Sequence, residues 1–473
     1  MPKGLIPMND FQRFQDKSRE AASLVNESET ALVVAHIDAD GISAAAIASA
    51  ALERAGKIHD VVFVKKMDDE AVELINSSSA EFVWVVDLGS GYVSRFKHPS
   101  VLISDHHVPE KDEHGSPVQV DNVLHVNPNL YHLDGGQEIS GAGVTYMVAR
   151  EMDPANMDLS YLAVVGAAGD FQDSSTGRFM GCNRAILQDA EAMGLVQVDE
   201  DLRLFGRETR PLVQFLQFAS DTPLPGLSNN NTGCHRFLDD LGVDLKRQGR
   251  WRCWNDLDED ERERVRQAIA HLLSSQGLDP GVLFGETYTL PTQPRGSELR
   301  DAKEFATLLN SCGRYDDAPI GLRICLGDAQ AVREARDNRS EHKKQLSMAL
   351  SMVRDNNMIK ERGWVQFFHA GGEVRETIVG ITAGMLLGSN GVRRDIPMIA
   401  FAHTDDGEVK VSARADRSLV DRGLDLSAAM RVASELVGGY GGGHNIAAGA
   451  TIPRGKEEEF LDIVEDIVSA QLI

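Results

Sequence analysis

Short apolar runs alternate with helical patterns through the first third of the chain, and this alternation constrains the fold more than any other feature. The runs ALVVA at residues 31–35, FVWVV at 82–86 and VLIS at 101–104 are too short for helices and are typical of buried strands. Residues 42–55 form an Ala-rich helical pattern. A further strand is expected at 61–64, and further helices at 143–151 and 159–168. This order predicts a mostly parallel sheet with helices on both faces.

The rest of the chain divides into a polar middle and a second α/β unit. Its 473 residues suggest two or three domains. Residues 1–198 are expected to form the N-terminal parallel-sheet domain, 199–333 a mainly helical inserted or connecting region, and 334–362 a linking helix. Strand and helix patterns return in residues 363–473, which predicts a smaller C-terminal α/β domain. The predicted fold class is therefore α/β with a helical insertion.

Composition excludes several classes of protein. No apolar run approaches the roughly 20 residues that a membrane helix needs. The five cysteines are scattered without a CxxC pair, which argues against disulfides and against a Cys-based zinc site, so reduced and mostly buried thiols are expected. The N-terminus, MPKGLIPMNDFQRFQDKSRE, lacks the apolar core of a signal peptide. We therefore expect a cytoplasmic protein.

Acidic and histidine residues directly follow three of the predicted strands. Ligands of open parallel sheets bind at the carboxyl ends of strands, so these side chains are expected to lie together. A fourth acid, Asp170, follows a helical pattern. Carboxylates crowded at a buried sheet edge repel one another unless a cation lies among them, which predicts a metal site. The strand-end residues are His36, Asp38 and Asp40 in HIDADG, Asp87 in VVDLGSG, and Asp105, His106 and His107 in SDHH.

The types of these residues indicate the metal. Carboxylates dominate, imidazole is the minority and thiolate is absent, which favours Mn²⁺, with Mg²⁺ as the alternative. The ligands suffice for two divalent cations, and Asp87, alone at the end of its strand, is the expected bridge between them. Two bridged cations activate a water for in-line attack on phosphorus, which predicts a phosphoesterase.

The motifs HIDADG, VVDLGSG, SDHH and GAAGD resemble, in this order, motifs I to IV of the DHH phosphoesterase superfamily, over roughly residues 31–170. The resemblance implies that His36, Asp38 and Asp87 hold one metal, and that Asp40, Asp87, His106 and Asp170 hold the other. It also implies that His107 contacts the scissile phosphate while Asp105 supports it, so that these two and Asp87 form the catalytic group. Asn127 in NPN, and Ser140 and Gly141 in SGAG, resemble family loops at the substrate.

A glycine-rich segment, GGGHNIAAG at residues 441–449, follows a helical pattern in the C-terminal domain. Its glycines let the backbone approach an anion closely, although a flexible connector is the alternative. Together with KVSAR at 410–414 it resembles the DHH-associated domain, which implies a substrate-binding domain facing the DHH domain across a cleft. The substrate residues implied are Ser412, Arg414, Gly442, Gly443 and His444.

Segments of the middle region narrow the resemblance. TPLPGLSNNNTG, WRCWNDLDEDER, GETYTLP and SELRDAKEFATLLNSCGR resemble archaeal RecJ-like proteins, which include the GINS-associated nuclease and are related to the Cdc subunit of the eukaryotic replicative helicase. This resemblance implies an exonuclease of archaeal replication or repair that docks on the GINS complex. Arg314, in the last segment, is a candidate substrate contact, with helix capping or a salt bridge as the alternative.

Three functions remain open at this point. The first is a metal-dependent exonuclease that hydrolyses single-stranded DNA, or RNA, to nucleoside monophosphates. The second is a small-substrate phosphodiesterase for oligoribonucleotides or cyclic dinucleotides, which the net charge of −24 favours because nucleic-acid binders are usually basic. The third is a non-catalytic replisome scaffold, which the intact ligand set disfavours. A candidate strand-binding surface, or else a solvated face, is formed by Lys246, Arg247, Arg250, Trp251, Arg252 and Trp254.

Overall fold

The computed structural model describes residues 8–219, 223–389, 392–404 and 406–472. It divides into two compact units, Met1–Arg336 and Asp337–Ile473. The four-part division expected from the sequence stays a prediction. Residues 1–7 of the N-terminal segment and Thr222 of the TPLPGLSNNNTG loop lie outside the described residues.

A five-stranded parallel sheet forms the centre of the N-terminal unit, as the alternation of strands and helices predicts. Its strand order is β2-β1-β3-β4-β5. All five residues of β3 are buried, which explains why this strand is an unbroken apolar run. The strands are β1 (Thr30–His36), β2 (Ile58–Val64), β3 (Phe82–Val86), β4 (Val101–Ser104) and β5 (Val123–Val126).

The direction of chain crossover reverses between β1 and β3. From β1 the chain crosses to β2 on one side of the sheet, and later to β3 on the other side. In doubly wound sheets, ligands bind at the carboxyl ends of the strands at such a switch point. The strand-end residues of β1 and β3 are therefore placed where this architecture binds its ligands.

Helices cover this sheet, and α2 is buried over nearly its whole length. Its many alanines allow neighbouring helices to approach closely, and α2 contacts α4, α5, α10 and α11. Helices α10 and α11 belong to the same hydrophobic core as the sheet, to which α10 contributes Phe305 and α11 contributes Ile324. The helices are α1 (Met8–Glu27), α2 (Ala39–Arg54), α3 (Asp69–Asn76), α4 (Gly141–Met152), α5 (Ser160–Gly169) and α6 (Gly181–Ala192), and later in the chain α10 (Ala302–Arg314) and α11 (Ala318–Cys325).

The middle of the chain is mainly helical and has a core of its own. Trp254 is completely buried in this core and stacks on Phe215, and the buried Arg252 pairs with Glu261. These two residues are therefore structural, which corrects their assignment to a strand-binding surface. The elements are β6 (Gln197–Leu202), α7 (Leu212–Gln217), α8 (Asn231–Asp240), β7 (Lys246–Arg247), β8 (Arg250–Trp251), α9 (Glu259–Ser275) and β9 (Phe284–Thr289).

The C-terminal unit is a six-stranded mixed sheet with helices, in the order β10-β11-β12-β13-β15-β14. Helix α12 (Ala329–Asp355) contains the boundary between the units. The glycine-rich segment is an antiparallel hairpin rather than a loop, because Gly441–Gly443 pair with residues 448–450. The remaining elements are β10 (Lys360–Glu361), β11 (Gln366–His369), α13 (Glu376–Leu387), β12 (Met398–His403), β13 (Val409–Arg414), α14 (Arg417–Asp421), α15 (Leu426–Leu436), β14 (Tyr440–Gly443), β15 (Ala447–Ile452) and α16 (Glu457–Leu472).

The cysteines and the helices can be compared with what the composition predicts. The five cysteines are free and buried, as expected for reduced thiols. Among the described residues, the helices all fall short of the length and apolarity needed to cross a membrane.

Candidate metal centre

Asp87 lies at the end of β3 and is 1% exposed. Its backbone has a φ of 60°, in the left-handed region that side chains other than Gly, Asn and Asp rarely adopt. A Cβ at Gly141 would lie 2.5 Å from Asp87 Oδ1, so a glycine is required there. This backbone conformation and the close glycine fix the carboxylate at the switch point of the sheet.

The two carboxylate oxygens of Asp87 face different histidines. Oδ2 lies 3.6 Å from His36 Nδ1, and the same nitrogen lies 2.9 Å from Asp38 Oδ2. Oδ1 lies 3.3 Å from His106 Nε2. The carboxylate therefore separates two clusters of polar atoms and belongs to both.

His106 is the centre of the second cluster. Its Nε2 lies 3.3 Å from Asp170 Oδ2 and 3.7 Å from Asp40 Oδ2. Asp40 is held in place by the backbone N–H groups of Gly141 and Ala142, at 2.6 and 3.0 Å. The structure thus brings together all six residues that the sequence predicts as metal ligands, in two groups of candidate donor atoms.

The ring of His106 is oriented by contacts that the sequence analysis missed. Its Nδ1 lies 2.7 Å from the carbonyl oxygen of Gly135, a distance at which Nδ1–H donates and the Nε2 lone pair faces the carboxylates. Gln172 donates to the same carbonyl at 2.9 Å. No spacing or composition signal links these loop residues to SDHH, because the fold alone brings them close.

His107 is held by Asp105. The two side chains meet at 2.7 Å through His107 Nδ1, and 58% of the His107 side chain is exposed. Asp105 is completely buried and accepts backbone N–H groups from His106, His107 and Ser90. This arrangement fixes the direction of an imidazole that is open to solvent.

Burial and mutual repulsion dominate the electrostatics of the carboxylates. Burial, Asp87 and Asp170 raise the pKa of Asp40 well above its ordinary range. Burial and Asp87 raise the pKa of Asp170 to about 7. Burial opposes ionisation of Asp87 as well, but the imidazoles of His106 and His36 outweigh it and lower the pKa of Asp87.

The pKa values of two histidines respond to the same carboxylates. Burial opposes protonation of His36, but Asp38 and Asp87 outweigh it and raise its pKa to about 11. The contact with Asp105 raises the pKa of His107. Burial would raise the pKa of Asp105, yet His107 lowers it to about 2.

The donor set fits a divalent cation. Within the described part of the chain, both oxygens of Asp87 are buried without a hydrogen-bond partner. Buried polar atoms rarely lack a partner unless an ion or a ligand completes the site. Oxygen and imidazole donors without thiolate are the ligands of Mn²⁺ and Mg²⁺.

Three of the predicted substrate residues of the N-terminal unit are buried. Asn127 is completely buried and donates from Nδ2 to the carbonyl oxygen of His107 at 2.8 Å. Ser140 is also completely buried and caps α4 by accepting the N–H of Gly143. Gly141 donates to Asp40, as described above. Their burial corrects their assignment as substrate contacts: Asn127 and Gly141 support His107 and Asp40, and Ser140 begins α4.

Arg314 is exposed in the last turn of α10. The same helix lies against the first motif, since Asn310 Oδ1 accepts the N–H of Ala39 at 2.8 Å. A Cβ at Gly313 would lie 1.7 Å from the carbonyl oxygen of Ile37, so the helix can approach only through a glycine. Arg314 is therefore exposed on a helix that is fixed next to HIDADG.

In the C-terminal unit, Ser412 and Arg414 lie on β13, which pairs with β15. Arg414 is half-buried, and this burial lowers the pKa of its guanidinium. Its Nη1 donates to the carbonyl oxygen of Ala413 at 2.8 Å. Gly442 and Gly443 lie on β14, and His444 is exposed at the turn of the hairpin. The structure thus brings the KVSAR and GGGHNIAAG segments onto one sheet.

Family models match two parts of the chain. The DHH-CID domain matches residues 204–281, and the DHHA1 domain matches residues 363–470. The uncharacterized protein MJ0831 of Methanocaldococcus jannaschii is 30% identical over 446 residues, covering 93% of each chain. The chain belongs to the DHH superfamily of phosphoesterases. The resemblance on which the sequence analysis relied is thereby confirmed.

This DHH protein is also similar to RecJ. The single-stranded-DNA-specific exonuclease RecJ of Salmonella typhimurium is 22% identical over 496 residues, covering 99% of this chain and 71% of RecJ. A crystal structure of exonuclease RecJ bound to manganese has a TM-score of 0.55 at 18% identity, covering 99% of this chain and 96% of that one. CDC45 from Entamoeba histolytica has a TM-score of 0.61 at 13% identity, covering 98% and 99%. The fold of this DHH protein is therefore RecJ-like.

Proposed function

We propose that this DHH protein is a metal-dependent exonuclease that hydrolyses phosphodiester bonds of single-stranded DNA, with RNA as a second substrate, to nucleoside monophosphates. One observation carries the proposal: Asp87 presents one oxygen to His36 and the other to His106, and neither oxygen has a hydrogen-bond partner among the described residues. A carboxylate in this position is suited to bridge two cations. The similarity to RecJ, named as a single-stranded-DNA-specific exonuclease, supports the substrate.

His36, Asp38 and Asp87 would hold one cation, and Asp40, Asp87, His106 and Asp170 the other. Cations bound there supply charge neutralisation at the phosphate and a water of lowered pKa. Manganese is the preferred metal and magnesium the alternative, which the manganese-bound RecJ structure and the donor set support.

The chain's own residues orient the substrate in this proposal. His107, fixed by Asp105 and exposed to solvent, donates to a non-bridging oxygen of the scissile phosphate. Asp87 and Asp105 complete the catalytic group. The phosphates of the strand bind to the C-terminal unit, where the guanidinium of Arg414 can donate two parallel hydrogen bonds to one phosphate. The other contacts are Ser412 and the hairpin residues Gly442, Gly443 and His444. Arg314 is a further candidate contact.

Digestion of labelled single strands tests this function. DNA and RNA oligomers labelled at the 5′ or the 3′ end are incubated with the protein in Mn²⁺, in Mg²⁺ and in EDTA. We expect mononucleotide products in Mn²⁺ and none in EDTA, and the label that is released first gives the direction. Products that appear equally in EDTA would contradict a metal-dependent enzyme, and cleavage restricted to dinucleotides would favour a small-substrate phosphodiesterase.

A role in replication or repair, and docking on a GINS complex, form part of the same proposal. The fold shared with CDC45 supports a replisome role, and the metal ligands argue against a scaffold that lacks activity. Co-elution of the protein with the GINS complex of its source organism during gel filtration tests the partner. Separate elution at micromolar concentrations of both would contradict it.

A further inference from the structure

A cavity of about 540 Å³ opens in the N-terminal unit next to the candidate metal centre. Gly169 and Phe171, which line it, flank the candidate ligand Asp170. Asn310 also lines it and accepts the N–H of Ala39 at the start of α2. Cavities of roughly 300–1,000 Å³ are the usual size for small-molecule sites. A ligand in this cavity would therefore lie beside the reacting groups.

The charge of the cavity is opposite to that of the protein. Among the described residues that line it, Arg203, Arg210 and Lys303 are cationic and none is acidic, whereas the chain carries a net charge of −24. Behind the wall, Oδ2 of the completely buried Asp173 holds Arg203 at 2.9 Å and Lys303 at 2.8 Å. One buried carboxylate thus fixes Arg203 and Lys303 and leaves these two cations with a net positive charge. A concave positive site attracts anionic ligands, even on a protein whose surface is otherwise acidic.

Aromatic side chains stand next to these cations. Phe171 and Phe218 are 63% and 47% exposed and line the same cavity. Phe171 has a φ of 55°, a conformation that costs a bulky residue energy and that turns up at functional sites. The guanidinium of Arg210 lies 4.6 Å from the ring of Phe205 and 5.6 Å from that of Phe218. Exposed rings beside cations are the usual surface for an unpaired base and its phosphate.

We propose that this cavity binds one nucleotide, with its base against Phe171 and Phe218 and its phosphate against Arg203, Lys303 and Arg210. The site rests on the proposed function, because the nucleotide is either a unit of the strand under hydrolysis or the monophosphate released from it. It gives an acidic protein a local binding site for an anionic strand. It also provides contacts to the base in addition to the phosphate contacts proposed for the C-terminal unit.

The first test is the effect of Phe218→Ala on oligothymidylate hydrolysis in Mn²⁺. We expect KM to rise about tenfold, since stacking on an aromatic ring contributes roughly 1–3 kcal/mol per base. An oligomer without bases should raise the KM of the wild type by a similar factor. The same oligomer should not raise the KM of Phe218→Ala further, because the stacking contact is already lost. Met193→Ala is the matched control, because Met193 is a large apolar side chain of similar exposure (48%) that does not line the cavity.

The second test is the effect of Lys303→Gln on the salt dependence of KM. Loss of one phosphate contact should reduce the slope of log KM against log salt concentration by about one. Lys17→Gln is its control, because Lys17 is exposed to the same degree (26% against 25%), pairs with Glu20 and does not line the cavity. Variants that match the wild type in both tests, and that also keep its inhibition by thymidine monophosphate, would overturn the proposal.

Inhibition by thymidine monophosphate separates the two sources of the nucleotide. A higher KM with unchanged inhibition assigns the cavity to the strand, and weaker inhibition with unchanged KM assigns it to the released product. Wild-type protein that cleaves no oligomer would contradict the proposed function only. In that case, thymidine monophosphate is titrated directly into the wild type and into Phe218→Ala. Equal affinities of the two proteins would exclude nucleotide binding in the cavity.

Discussion

Asp87 Oδ1 lies 3.3 Å from His106 Nε2 at the carboxyl end of β3, where neither oxygen of the carboxylate finds a hydrogen-bond partner in the described structure. The other oxygen faces His36. A buried carboxylate that faces an imidazole with each of its oxygens is stabilised when cations complete the site, because an isolated buried charge costs several kcal/mol.

Asp87→Asn should abolish hydrolysis without unfolding the protein. Asparagine tolerates the left-handed backbone that Asp87 adopts at φ 60°, so the fold is kept, but the neutral amide no longer bridges cations. We expect kcat to fall by about a thousandfold or more, a loss of about 4 kcal/mol in transition-state stabilisation. Circular dichroism is the control for folding. Turnover near the wild-type rate by a folded variant would refute the bridging role.

Asp105→Asn should lower kcat while most of the metal affinity remains. Asp105 touches His107 and backbone groups rather than the predicted donor atoms, so the change mainly misdirects the His107 ring. Losses on the order of 10- to 100-fold are typical of groups that orient functional side chains. The measurement is kcat together with a Mn²⁺ titration. An unchanged kcat would show that His107 needs no support.

Arg414→Gln should raise KM for oligonucleotides about tenfold and leave kcat nearly unchanged. Arg414 is half-buried on β13 beside Ser412, and a substrate phosphate would compensate a charge that burial disfavours. Arg417→Gln is the matched control, because its side chain is 72% exposed and pairs with Asp421 within α14. Equal KM values for the two variants would show that Arg414 does not contact the oligonucleotide.

Mn²⁺ should stabilise the protein and EDTA should destabilise it. The crowded carboxylates Asp40, Asp87 and Asp170 are expected to repel one another until a cation binds. A ligand at 100 times its Kd adds about 2.7 kcal/mol to the free energy of unfolding, so the melting temperature should rise by a few degrees. Asp87→Asn should lose most of this rise. An identical melting temperature in Mn²⁺ and EDTA would argue against the site.

The buried Glu304 should make stability depend on pH. Burial and Asp301 raise the pKa of Glu304 to about 7, so the folded protein retains a proton that the unfolded chain has already released. Its contribution to stability is therefore complete below about pH 4.5 and is lost as the pH rises through 7. Urea unfolding at pH 5 and pH 8 measures the difference, which should shrink in Glu304→Gln. The same difference in both proteins would assign it to other groups.

Much of the metal centre could be predicted from the sequence, because apolar strands end directly in Asp and His and strand–helix alternation indicates a parallel sheet, whose strand ends lie at one edge. The cavity could not, since Phe171, Arg203 and Lys303 are far apart in sequence and are brought to one cavity only by the tertiary fold. Trp254 was misread because aromatic and basic residues adjacent in sequence point to different sides of a core. Sequence spacing does not reveal which side chains are buried, and for that reason neither the cavity nor the position of Trp254 could be predicted.

Anomalous diffraction at the manganese edge from crystals soaked in Mn²⁺ tests the central claim most directly. We predict two peaks in the N-terminal unit, one among His36, Asp38 and Asp87 and one among Asp40, Asp87, His106 and Asp170. Peaks elsewhere, or no peak at a Mn²⁺ concentration that supports hydrolysis, would contradict it.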